Sequence, residues 1–210
     1  MTAISTTQFM LPHGPRPGVI EAHNIMAMPD TIARWTLPEL HRLPDDGNRY
    51  ELVRGELFVT PPPSVAHQEI VAVLADLLQP YVAKHQLGRL YFPRSVVRVG
   101  SDSEVEPDLM VRPIPERAVV SWNDVPLPIL VIEVMSGTTR RRDRVEKRAL
   151  YLDAVIPEYW IVDREHRTIR VVRPGSEDAD LSATLIWHPT GASEPLAIDI
   201  ALLFRAALGT

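Results

Sequence analysis

One segment limits what this chain can fold into more than any other: Pro128-Ile129-Leu130-Val131-Ile132-Glu133-Val134, an almost unbroken apolar run with a carboxylate near its end. A short run of this kind, rich in β-branched residues, marks a central strand covered on both faces. A glutamate enclosed by Ile132 and Val134 in such a strand is costly unless it is paired. A second short apolar run, Val105-Glu106-Pro107-Asp108-Leu109-Met110-Val111, carries another acidic residue. Taken alone, an aspartate after proline is a common turn or cap residue. Together, Asp108 and Glu133 on adjacent strands can share a hard divalent cation such as Mg²⁺, or Mn²⁺ in its place, whose preferred ligands are oxygens.

Directly after the second strand comes Arg140-Arg141-Arg142-Asp143-Arg144-Val145-Glu146-Lys147-Arg148, six cationic residues against two acidic ones. The chain as a whole carries −5, so with +4 in this segment the remainder holds −9. An acidic protein makes a poor general binder of phosphate backbones, but a local basic patch still permits a DNA partner. Arg140, Arg141, Arg142 and Arg144 are therefore candidate nucleic-acid contacts, with a solvated helix face as the plain alternative. Metal-binding carboxylates beside a cationic segment suggest chemistry on a phosphodiester.

The 210 residues can bury one core, and 20 prolines against 10 glycines imply stiff turns rather than flexible linkers. The absence of cysteine excludes disulfides and thiolate zinc sites. No run approaches a membrane span, and no basic region followed by an apolar stretch opens the chain, so a cytoplasmic protein without a membrane partner is expected.

Residues 1–30 lack a sustained period and read as an arm or disordered tail, leaving 31–210 as a single domain. A short capped helix is expected over Thr36 to Leu43, then a hairpin around Arg54-Gly55 that ends at Pro61-Pro62-Pro63. Ser64 can cap a helix from Val65 to about Lys84, with Ile70, Val73, Leu74, Leu77, Leu78 and Tyr81 as its stripe. Strands follow near 90–99, 105–112 and 129–135. A helix then runs to about Ala154, with Val145, Ala149 and Leu152 facing inward. A hairpin spans Glu158 to Val172, a strand Leu185 to Trp187, and a terminal helix Ile198 to Leu208. The order describes an α/β layered domain with a mixed sheet flanked by helices.

The string Tyr50-Glu51-Leu52-Val53-Arg54-Gly55-Glu56, continued through Pro61-Pro62-Pro63-Ser64-Val65-Ala66-His67, resembles the opening of the Uma-two family, restriction endonucleases abundant in cyanobacteria. Glu106-Pro107-Asp108, Ile132-Glu133-Val134-Met135-Ser136, then Asp143, Lys147 and Tyr151, and Ile156-Pro157-Glu158-Tyr159-Trp160-Ile161-Val162-Asp163 follow that family's pattern in order. The resemblance spans roughly residues 35 to 190 and extends to the PD-(D/E)XK nuclease superfamily. It implies a restriction-endonuclease-like fold and Mg²⁺-dependent cleavage of DNA, by a homodimer where both strands are cut.

Carried over, it makes Asp108 and Glu133 the metal-binding pair. The lysine expected two positions after Glu133 is replaced by Met135, and Lys147 is its natural substitute, pointing at the carboxylates or at water. Glu56 is a further candidate metal ligand or an exposed strand carboxylate. His67 either contacts phosphate or serves as a helix-terminal hydrogen-bonding residue. Beside an active endonuclease, the sequence admits a catalytically inactive nuclease-fold protein that binds nucleic acid or regulates, which Met135 favours, and a hydrolase acting on another phosphate-containing substrate.

Overall fold

The computed structural model describes residues 34–209 apart from Asn123 and Thr138. The arm expected over residues 1–30 lies outside them. Thr36 donates from its backbone N–H and its hydroxyl to Glu39, at 2.8 and 2.7 Å, which starts α1 (Leu37–Leu40). β1 (Arg49–Val53) and β2 (Glu56–Thr60) form an antiparallel hairpin. Its two turn residues, Arg54 and Gly55, both have positive φ, at 51° and 79°, the backbone twist a two-residue hairpin requires. Three prolines cannot extend the ladder, and Ser64 then accepts from the His67 N–H at 3.3 Å to start α2 (Val65–Lys84).

The strands expected over 90–99 and 105–112 are each two strands. Pro93 separates β3 (Arg89–Tyr91) from β4 (Val97–Val99), and Pro107 separates β5 (Ser103–Val105) from β6 (Leu109–Arg112). Proline supplies no ladder donor, and at both breaks the chain crosses between sheets. β4 and β5 join the hairpin in a four-stranded sheet of order β2-β1-β5-β4, whereas β3 and β6 join the larger sheet.

That larger sheet gathers β7 (Leu130–Val134), β8 (Tyr159–Asp163), β9 (Thr168–Val172) and β10 (Ala179–Leu181) in the order β10-β9-β8-β7-β6-β3. β7 and β8 are parallel, joined by a crossover whose helix opens with a π-helical segment, Arg142–Lys147, and continues as α3 (Arg148–Asp153). β11 (Thr184–Trp187) and β12 (Leu196–Asp199) form a separate pair, and α4 (Ile200–Leu208) ends the described chain. The terminal helix therefore starts later than the sequence suggested. Its first expected residues complete β12, and Asp199 caps α4 by accepting from the Leu202 N–H at 2.9 Å.

As the apolar run required, the central strand is covered on both faces. Leu130, Ile132 and Val134 of β7 pack with Ile70, Leu74 and Leu78 of α2 and with Leu203 and Phe204 of α4. Val131 and β8 residues Tyr159 and Ile161 pack on the other side with Leu150 and Tyr151 of α3 and with Val53, Val97 and Val105. The helix over the second face presents the opposite stripe from the one expected. Val145 is exposed, while Asp143, Lys147, Leu150 and Tyr151 are buried. Apolar periodicity misleads here because the inward surface of the first turns is charged.

Gly88 joins α2 to β3 with φ near +137°, and a β-carbon there would stand 1.9 Å from the carbonyl oxygen of Arg112. The strand pair β3·β6 closes through this approach. Gly88→Ala should therefore lose on the order of 2–4 kcal/mol of stability, measured by urea unfolding, through backbone strain and displacement of the β6 end.

Candidate active site

Asp108 and Glu133 meet because of strand register. β6 and β7 pair Leu109 with Ile132 and Met110 with Val131, so one further step sets Asp108 opposite Glu133. Asp108 also extends this ladder with its side chain, its Oδ2 accepting the Val134 N–H at 2.8 Å. Its Oδ1 accepts from Arg49 Nη1 at 2.9 Å and lies 3.3 Å from His67 Nε2. Burial alone would raise the Asp108 pKa, but the hydrogen bond from His67 and the charge of Arg49 hold it well below the usual carboxylate range.

Glu133 faces the helix instead. Its Oε1 accepts from Lys147 Nζ at 2.5 Å and from the Tyr151 hydroxyl at 3.3 Å. The same ammonium donates to Glu51 Oε1 at 2.7 Å, so Lys147 bridges β1 and β7 with no exposure to solvent. Glu51 is further held by the Glu106 N–H, which donates to it at 2.9 Å, and by Arg142 Nη1 at 3.3 Å. Asp143 completes the cluster beside Arg142, at 3.6 Å.

Four buried carboxylates, Glu51, Asp108, Glu133 and Asp143, thus face three basic side chains, Arg49, Arg142 and Lys147, leaving His67 aside. The cluster is one positive charge short. Burial and the neighbouring Asp108, Asp143 and Glu51 push Glu133 up to about 8 in spite of Lys147. Burial would also raise Glu51, but Lys147, Arg49 and Arg142 outweigh it and bring it down to about 2. Lys147 is held above its ordinary value, since Glu133 and Glu51 outweigh its burial.

Asp108, Glu133, Met135 and Asp143 line a cleft of about 390 Å³, together with Arg49 and His67. Asp143 Oδ1 is buried there without a hydrogen-bond partner. Among the described residues no group of three or more His, Cys, Asp or Glu side chains forms a ready-made cage for an ion. Two carboxylates without a cage suit Mg²⁺, which keeps several waters and takes one or two carboxylates together with substrate phosphate. Oxygen-only donors, an excess of negative charge and a carboxylate oxygen without a hydrogen bond all fit such a cation.

The sequence-derived candidates separate on this geometry. Asp108, Glu133 and His67 line the cleft, and Lys147 touches Glu133 from behind, outside the cleft wall. Met135, at the usual lysine position, is buried and packs in the second core. Glu56 is exposed and stands apart from the cleft; on the same hairpin, Glu51 is the acidic residue that reaches the cluster. Glu51 was missed, although it lies in a strand between apolar residues as Glu133 does.

The basic run mostly serves the fold. Arg140 pairs with Asp163 and Glu165, Arg144 with Asp163, Arg141 with Glu146, and Arg142 lies buried against Glu51 and Thr60. The cations at the cleft mouth are Arg94 and Arg164, single residues in loops that no charge pattern distinguishes.

The family model Uma2, described as "Putative restriction endonuclease", matches residues 37–198. Among solved structures the chain is similar to a protein from Anabaena variabilis, titled a putative nuclease belonging to DUF820, at a TM-score of 0.69 and 24% identity. That likeness covers 82% of this chain and 99% of the other, and shows a shared fold. A search of curated proteins found no match.

Removing the Lys147 ammonium strands two buried carboxylates. Lys147→Met should cost about 3–5 kcal/mol in urea unfolding. Glu51, ordinarily near 4.5, stabilises the folded state fully above that pH and loses the effect as pH falls toward 2. Glu51→Gln should accordingly lose stability less steeply than wild type between those pH values.

Proposed function

The chain belongs to the Uma2 family, and from that premise we propose that it is a metal-dependent endonuclease hydrolysing phosphodiester bonds of DNA. The observation that carries the reading is the pair Asp108 and Glu133, set opposite each other by strand register at the floor of one cleft. These two residues would hold Mg²⁺, or Mn²⁺ in its place. When bound, the cation supplies polarisation of the phosphate and a lowered pKa for water.

The chain's own groups do the rest. The Asp108 carboxylate is oriented by the Val134 N–H and Arg49, so its position is set before any ligand arrives. Lys147 acts through Glu133 and is a positioning residue: it fixes that carboxylate and balances its charge, a role Met135 cannot take. His67 and Arg49, on the cleft wall beside Asp108, would donate to phosphate oxygens. Arg94 and Arg164 at the mouth would steer the nucleic-acid backbone. One centre of this kind cuts one strand, so a double-strand break would need a homodimer.

A second reading, a nuclease fold that binds nucleic acid without cutting it, is favoured by Met135 and by the closed position of Lys147 behind Glu133. Plasmid and single-stranded DNA incubated with the protein and Mg²⁺ or Mn²⁺ separate the two. Cleavage should fall at least ~100-fold in Asp108→Ala and Glu133→Ala; cleavage that survives both removes the proposed site. Calorimetry showing DNA binding with no divalent-ion binding would establish the second reading.

The cleft-mouth arginines give a separate expectation. Arg164→Ala should reduce the slope of log affinity for DNA against log salt by about 1, measured by fluorescence anisotropy, and Arg94→Ala by less, since Arg94 also pairs with Asp45 at 3.3 Å. Arg140→Ala, whose guanidinium is already committed to Asp163 and Glu165, should leave that slope unchanged.

A further inference from the structure

The opposite end of β6 carries an inverted charge problem. Arg112 is 1% exposed, and among the described residues no carboxylate lies within ion-pair distance of it. Buried charges are ordinarily paired or coordinated, because desolvation is otherwise uncompensated. Here Arg112 Nη1 donates to the Pro126 carbonyl at 3.1 Å, Nη2 to the Val96 carbonyl at 2.7 Å, and Nε lies 3.2 Å from Met110 Sδ. A guanidinium has five N–H donors, so one on each terminal nitrogen remains. The Trp122 ring lies 5.4 Å from the guanidinium carbon, a cation–π contact that supplies no net negative charge.

Arg112 and Trp122 line a cavity of about 330 Å³ that shares no lining residue with the active-site cleft. Arg98, which is paired with Glu104, contributes a second cation to the lining, and among the described residues no acidic one contributes to it. Burial draws Arg112 down to about 10, as expected for a cation whose solvation has been removed and not replaced. A planar guanidinium with two donors left, beside an aromatic ring, matches a phosphate group in both charge and geometry.

We propose that this cavity is a second binding site, taking the phosphate group of a nucleotide or of a nucleic-acid strand, with Arg112 as its anchor and Trp122 as its aromatic wall. It lies about 13 Å along the strand from Asp108, four residues at roughly 3.3 Å each. The site stands whatever reaction the cleft performs.

Calorimetry and ³¹P NMR on the full chain test it with inorganic phosphate, a nucleoside monophosphate and a short single-stranded oligonucleotide. Binding of at least one probe is expected. Leu127→Glu, at a half-exposed lining position, places a carboxylate at the anion site without touching the bonds of Arg112, and should weaken binding ~10-fold or more. All probes are read in an Arg164→Glu background, so that the cleft does not hold the oligonucleotide; there Arg112→Met should abolish binding, and if that variant does not fold, Leu127→Glu decides alone. Tightest binding of the monophosphate identifies a free nucleotide as occupant, tightest binding of the oligonucleotide identifies a strand, and equal binding identifies phosphate itself. No binding of any probe overturns the proposal. So does binding that Leu127→Glu leaves intact, or binding that Arg164→Glu in the cleft removes.

Discussion

The ammonium of Lys147 ties the site to the fold. It is buried completely, reaches Glu51 on β1 and Glu133 on β7, and comes from the helix that crosses over to β8. Three elements from two sheets and a helix therefore converge on one positive charge. Without it, the second face of the large sheet would meet the small sheet across Glu51 and Glu133, with only Arg49 and Arg142 left to balance them. The packing of Leu150 and Tyr151 beside it follows from the same inward turn of the helix.

Much of this was legible in the residues, and what was not had physical causes. The apolar run before Glu133 marked the central strand because burial on both faces leaves no polar alternation to obscure it. Ser64 and the prolines before it marked α2 to its first residue. The helix after β7 was read on its wrong face, since its buried stripe of Asp143, Lys147, Leu150 and Tyr151 is half charged. The strands around Pro93 and Pro107 were read as continuous, because a proline break does not announce that the two halves enter different sheets. Glu51 escaped notice for a related reason: a carboxylate in a two-arm hairpin looks solvent-facing until β5 and the helix are known to cover it.

Charge balance is local in this molecule, and β6 shows it most clearly. At its first end the structure assembles more acidic than basic groups around Asp108; at its last, Arg112 is buried with no acid beside it. The conspicuous arginine run between β7 and α3 neutralises neighbours such as Asp163 and leaves little free for a ligand. Net charge and charge density along the chain were therefore poor guides to where an ion or phosphate could be accommodated.

The hydrogen bond from the Val134 N–H to Asp108 Oδ2 has a consequence for how this chain can change over generations. It makes the proposed metal-binding carboxylate the last rung of the core's own ladder. Along β6, Leu109 and Val111 face one core while Asp108, Met110 and Arg112 face the other side, so a shift of one residue would exchange every assignment at once. Insertions or deletions in β6 that a surface strand could absorb would here disrupt the proposed site and the core packing together. The strand that carries Asp108 is thus held to a fixed length by its pairing with β7 and by the two cores it divides.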